Sequence, residues 1–174
     1  MPQKTPHALP RKIVEFGPAS TYHPALKRPL LVERLTRRAR SGTDYEYVGM
    51  DPELPVRTWK KGHLHVRIRR GNFLHVPYKF KPDSVDEMHF HMTQPPYKQR
   101  LTRARVLNWK KELVRVLKPK GKAYITSAFK SGMFMPANLN AKEFENLLQP
   151  VQLLAEGNAF RVRVFGLISK STSA

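Results

Sequence analysis

Lys12-Ile13-Val14-Glu15-Phe16-Gly17-Pro18-Ala19-Ser20-Thr21, a basic stretch reaching Gly42, and then Tyr45-Glu46-Tyr47-Val48-Gly49-Met50-Asp51 are the residues from which the fold can be read. A short apolar run holds an acid and closes on a glycine-proline turn, a helical pattern follows, and a second apolar run closes on another acid. Strand, glycine turn, helix and strand in that order form the front half of a βαβ unit, whose first turn faces the place where a nucleoside-bearing ligand binds.

The helical pattern is expected over residues 25–41, with Leu26, Leu30, Leu31, Leu35 and Ala39 on one face. Pro29 is compatible only with its first turn, and Gly42 supplies a C-terminal cap. The opposite face carries Arg34, Arg37, Arg38 and Arg40. Beyond Asp51, His63 to Arg69 alternates strictly, with Leu64, Val66 and Ile68 on one side and His63, His65, Arg67 and Arg69 on the other. Period two of this kind reads as a strand near a sheet edge with one wet face. Val85 to Met92 is the next strand, and Leu101 to Leu117 the longest helix, stopped by Lys118-Pro119-Lys120-Gly121. Ala123 to Ala128 is a further strand. Asn140 with Glu143 has the spacing of a capping box and opens a last helix. Val151 to Leu154 and Phe160 to Ile168 flank Glu156-Gly157-Asn158 and read as an antiparallel hairpin. Alternating strands and helices imply an α/β fold: a doubly wound, mostly parallel sheet with a C-terminal antiparallel hairpin.

A chain of 174 residues fits one such domain. Its expected division is a Pro-rich arm (residues 1–11), the domain (12–169) and a short tail (170–174). No apolar run approaches a membrane span, and the first ten residues hold three prolines and no hydrophobic block, against a secretory leader. With no cysteine there is no disulfide and no thiolate metal site, and the two His-x-His pairs (63/65 and 89/91) stand without clustered acids, so no metal is expected. Thirty-two Lys and Arg against thirteen Asp and Glu give a net charge of +19. These bases are spread over the folded segments, which points to a polyanion, RNA before DNA.

Ile13-Val-Glu-Phe-Gly-Pro18, Val48-Gly-Met-Asp51, Gly71-Asn-Phe-Leu-His-Val-Pro77, Asp83-Ser-Val-Asp86 and Leu113-Val-Arg-Val-Leu-Lys-Pro119, in this order, resemble the class I S-adenosylmethionine-dependent methyltransferases, which are Rossmann-like. The resemblance covers residues 12–168. It implies that Glu15 and Gly17 belong to the methionine-binding loop, that Asp51 bonds the ribose hydroxyls, and that Asn72 lies beside the adenine. Gln94-Pro-Pro-Tyr97 stands where nucleic-acid amino-methyltransferases carry Asn or Asp, two prolines and an aromatic, so Gln94 and Tyr97 are the implied catalytic pair. The layout from Phe90 to Arg100 also looks like the tRNA guanine-N7 branch of that family.

Three departures accompany the resemblance. The loop keeps only the first of its usual glycines, continuing Pro18-Ala19-Ser20-Thr21; Asn72 replaces an Asp, and Gln94 is one methylene longer than Asn. Two functions are therefore expected. One is an RNA-binding component of a ribosome or other ribonucleoprotein, in contact with rRNA and ribosomal proteins, in which the S-adenosylmethionine site is degenerate or lost. The other is an active rRNA or tRNA methyltransferase. Both place the protein in the cytoplasm or at an organellar ribosome, away from membranes. The RNA-contacting residues are expected in three clusters: Arg34, Arg37, Arg38 and Arg40; Lys98, Arg100, Arg103 and Arg105; and Lys118, Lys120 and Lys122.

Overall fold

The computed structural model describes residues 9–18, 22–23, 28–73, 75–91, 102–128, 151–152 and 162–169. Its strands are β1 (Arg11–Phe16), β2 (Tyr22–His23), β3 (Arg28–Pro29), β4 (Tyr45–Met50), β5 (Arg57–Lys61), β6 (Leu64–Arg69), β7 (Val85–His91), β8 (Leu117–Ala128), β9 (Val151–Gln152) and β10 (Val162–Ser169), and its helices are α1 (Leu30–Arg38) and α2 (Arg103–Val116). Eight strands form one sheet in the order β5-β6-β4-β1-β7-β8-β10-β9, and β2 pairs with β3 apart from it. From β6 to β8 every neighbour is parallel. β5 pairs antiparallel with β6 on one flank, and β10 pairs antiparallel with β8 and β9 on the other.

β1 is central. Ile13, Val14, Glu15 and Phe16 are all fully buried, as expected of a parallel strand covered on both faces. Alternation divides its side chains between two cores. Ile13 joins Leu31, Val32 and Leu35 of α1 and Leu64, Val66 and Ile68 of β6. Val14 and Phe16 join Trp109, Leu113 and Val116 of α2, with Phe73, Tyr78, Met88 and Phe90. The two helices therefore lie on opposite faces of the sheet.

The second core is aromatic. Phe16 stacks on Phe90 at 4.9 Å between ring centroids, and Trp109 meets Phe90 edge-on at 4.9 Å and Phe73 at 5.7 Å. The connection from β6 to β7 crosses this face as irregular chain. It is fastened to α2 by Glu112, which accepts the Tyr78 N–H at 2.6 Å, and by Arg115, which donates to the Tyr78 and Phe80 carbonyls at 3.1 Å each.

Three expectations are corrected. β1 begins at Arg11, so that residue belongs to the sheet and not to the arm. α1 starts at Leu30, because Pro29 has extended geometry (ψ 146°) and acts as the N-cap; Arg28 of the expected first turn lies in β3, and residues 25–27 lie outside the described residues. Gly42 takes the left-handed conformation (φ 85°) that ends the helical segment, as expected. The stop of α2 comes at Val116, and the chain passes straight into β8 at Leu117. Lys118-Pro119-Lys120-Gly121 is instead an excursion within β8: Leu117 pairs with Val85 and Lys122 with Glu87, so four residues on one strand stand against one, Asp86, on the other. β6 stands next to the edge as expected, and β5, which the alternation did not reveal, pairs beyond it and forms the edge itself. The capping box at Asn140 and the turn at Glu156 to Asn158 fall outside the described residues, while the antiparallel β9–β10 pair is present.

Trp109 is 2% exposed and holds α2 to the aromatic core. Trp109→Ala should cost about 3–5 kcal/mol, read as a large fall in the urea midpoint; a shift within error would show that α2 is held by other contacts.

Candidate functional site

In an open α/β sheet ligands bind beyond the carboxyl ends of the strands, where the strand order reverses. Here that point lies between β1 and β7, because the chain winds from β1 out to β6 and returns to the other side of β1. Gly17 follows β1 with φ 76°, a conformation that favours glycine, and its N–H donates to the Met50 carbonyl at 3.0 Å. Asp51 follows β4, and the Gly71 N–H reaches its carbonyl at 3.3 Å, bringing Asn72 alongside. The fold thus gathers Glu15, Gly17, Asp51 and Asn72 at the carboxyl ends of three adjacent strands.

The two acids point inward. Glu15 is fully buried and accepts a short hydrogen bond from the Tyr47 hydroxyl. Space for that bond comes from Gly49, which pairs in register with Glu15. A Cβ at position 49 would stand 2.7 Å from Ile68 Cδ1 and 3.1 Å from the Tyr47 oxygen. Burial, reinforced by the neighbouring Glu15 and Asp51 carboxylates, pushes the Tyr47 hydroxyl well above the ordinary tyrosine range, so it remains a donor. Asp51 is 2% exposed, and its Oδ1 accepts the Glu53 and Leu54 N–H groups at 2.8 and 3.1 Å. That carboxylate fastens the turn after β4. Both carboxylates that the resemblance sets toward S-adenosylmethionine are buried, Glu15 bonded through Oε2 and Asp51 through Oδ1. Of the rest of the implied site, Ala19 to Thr21, Gln94 and Tyr97 lie outside the described residues.

A polar group that sequence reasoning missed lies on the α1 side of β7 and β8. Glu87 bonds Arg11 at 2.9 Å and His89 at 3.3 Å, and the His89 ring stacks on Tyr124 at 4.8 Å. The His89 bond, with Arg11 and Arg38, holds the Glu87 carboxyl below its usual range against the effect of burial. The alternation of His89 and His91 was visible in the sequence, but pairing with Tyr124 required the sheet order. Among the described residues no group of three or more His, Asp or Glu could hold a metal ion, and no helix is long and apolar enough to cross a membrane.

Arg34, Arg37, Arg38 and Arg40 are exposed, on the α1 face. Arg103 and Arg105 are exposed on α2, on the other face, and Lys98 and Arg100 lie outside the described residues. Lys120 and Lys122 are exposed, whereas Lys118 pairs with Asp86 at 2.8 Å. The expected clusters are thus brought to both faces of the sheet and not to one surface. A hollow of about 580 Å³ beside α2 is lined by Ala104, Leu107, Asn108, Lys110, Lys111 and Val114, and none of the implied cofactor residues takes part in it.

Tyr47→Phe removes the donor to a buried carboxylate and should cost about 1–3 kcal/mol at neutral pH. A tyrosine whose folded pKa is raised stabilises fully below its unfolded value, near 10, and loses that contribution as pH rises through the folded value. The native protein should therefore lose stability in alkali more steeply than Tyr47→Phe, with urea midpoints measured from neutral to alkaline pH. Equal midpoints at neutral pH would show that the bond contributes nothing.

No protein-family model and no curated protein matches the chain by sequence. Solved structures do match it by shape. The C-methyltransferase (CMeT) domain of a citrinin polyketide synthase aligns with 95% of this chain and 47% of its own, at 14% identity and a TM-score of 0.56. A S-adenosylmethionine-dependent methyltransferase from Methanosarcina mazei aligns over 94% of both chains at 14% identity and a TM-score of 0.51. One from Aquifex aeolicus aligns with 93% of this chain and 85% of its own, at 13% identity and a TM-score of 0.51. The chain spans about half the length of the first structures it matches. The strand order, the antiparallel β10 and these alignments agree: the chain has the fold of the class I S-adenosylmethionine-dependent methyltransferases.

Proposed function

We propose that this chain is an RNA-binding protein built on a methyltransferase fold, a component of a ribosome or other ribonucleoprotein whose S-adenosylmethionine site is degenerate. The observation that carries the reading is the state of the two acids: Glu15 is bonded to Tyr47, and Asp51 is bonded to the backbone of its own turn. Carboxylates used in this way serve the sheet. The loss of the later glycines, at Ala19 to Thr21, agrees with it. The charge of +19 supports a polyanionic partner, since neutralising phosphates releases counterions. Exposed arginines on α1 supply one face for that contact.

A second reading, an active S-adenosylmethionine-dependent methyltransferase acting on rRNA or tRNA, is favoured by one fact. Glu15, Gly17, Asp51 and Asn72 still converge at the switch point of the sheet. When bound, the cofactor would supply an activated methyl group, and this chain's part would be to position a base with Gln94 and Tyr97.

Calorimetric titration separates the two. S-adenosylmethionine taken to millimolar concentration should produce no binding heat, and micromolar affinity would establish the second reading instead. The protein should also sediment with ribosomal particles at low salt and be released at high salt. Replacing Arg34, Arg37 and Arg38 together by alanine should weaken that association.

A further inference from the structure

We infer that the β5–β6 hairpin is an RNA-backbone contact surface, formed by the side of these two strands turned away from α1; the inference rests on the RNA-binding reading above. Residues 57–70 contain six Lys and Arg, two His and no Asp or Glu. The register Thr58↔Arg67 and Lys60↔His65 sets Thr58, Lys60, His65, Arg67 and Arg69 on one side, while Trp59, Leu64, Val66 and Ile68 face the α1 core. Thr58, Lys60 and Arg69 are exposed, and His65 and Arg67 are half-buried.

This side lacks a covering layer among the described residues. The α2 core on the same face draws on β4, β1, β7 and β8, with no residue from β5 or β6. The chain from β6 to β7, where a crossover helix would cover β6, is irregular instead. A parallel sheet is ordinarily covered on both faces. Here the uncovered flank carries bases where a buried flank would carry apolar side chains.

Charge complementarity names the occupant. Arg67 Nη1 stands 3.9 Å from Glu46, whose carboxylate also pairs with Lys12 at 3.1 Å, and His63 pairs with Asp44 at 2.8 Å. Arg57, Lys60, Lys61, Arg69 and Arg70 form no ion pair among the described residues. Lysines on an edge strand also guard against edge-to-edge aggregation, which accounts for Lys60 and Lys61 alone. It does not account for Arg67 and Arg69 on β6, which is already paired on both sides. Guanidinium groups at these positions suit phosphate, which they bind through paired N–H donors.

The test uses the full chain and a fluorescently labelled RNA hairpin, with affinity measured over a range of salt concentrations. Lys60→Ala/Arg67→Ala/Arg69→Ala should bind roughly tenfold or more weakly near physiological salt, and its log–log salt slope should fall by about 2–3. Lys60→Arg/Arg69→Lys keeps the charges and should bind as the native chain does. Thermal melting of each variant is compared first, so that weaker binding is read only from folded protein. Native affinity and slope in the alanine variant, with RNA still bound, would overturn the hairpin surface and leave the RNA-binding reading intact. Absence of RNA binding by the native chain would remove both. Binding of polyglutamate as tight as RNA, and lost in the same variant, would assign the surface to an acidic protein and overturn the inference.

Discussion

A carboxylate in a strand at the middle of the sheet governs much of this structure. Glu15 lies on β1 with neighbours on both sides and a core on each face, where an unsatisfied acid would be severely destabilising. The Tyr47 hydroxyl meets it, and that bond requires a ring extended along β4 and a residue without a side chain at Gly49. Three residues on two strands thereby become one unit. β4 is held against β1 by its ladder and by a contact that tolerates little slippage, since a one-residue shift would turn Tyr47 to the aromatic core.

The same unit bears on how this fold relates to chemistry. Glu15 stands near the carboxyl end of β1, where this topology puts the switch point, and its bond to Tyr47 needs no ligand there. Fold and site are separable properties. In this chain Gly17 stands at positive φ beside the switch point, and the acids near it bond Tyr47 and the turn after β4. Its basic residues, by contrast, are placed at the surface, on α1, on α2, in the β8 excursion and on the β5–β6 flank.

The sequence made the architecture readable because its strands are short, apolar and separated by helical or turn patterns. β1, β4, β6 and β7 are found within a residue or so of their expected limits. β5 was hidden, since Arg57-Thr-Trp-Lys-Lys61 has only two residues that favour a strand and draws its pairing from β6 across the Gly62 turn. The excursion at Lys118 to Gly121 was hidden for a related reason: proline and glycine signal an interruption but not whether a helix or a strand is interrupted. For the site, position was legible and state was not. Sequence places Asp51 at a strand end, but only coordinates show its Oδ1 taken by two backbone amides. The distribution of arginines over opposite faces likewise follows from which strand residues point which way, a property of the assembled sheet.

The place of β1 between β4 and β7 also has a consequence for synthesis. Its contact with β4 spans little more than thirty residues, Ile13 pairing with Tyr47, but on its other side Ile13 pairs with Glu87. During translation β1 stays without its second neighbour along one edge until the chain has been extended past β7. Ile13, Val14 and Phe16 are apolar, and an edge of that kind invites pairing with other chains. Before β7 is made the segment already carries the α1 arginines and Lys60 and Lys61 of β5, and like charge opposes the close approach of two copies.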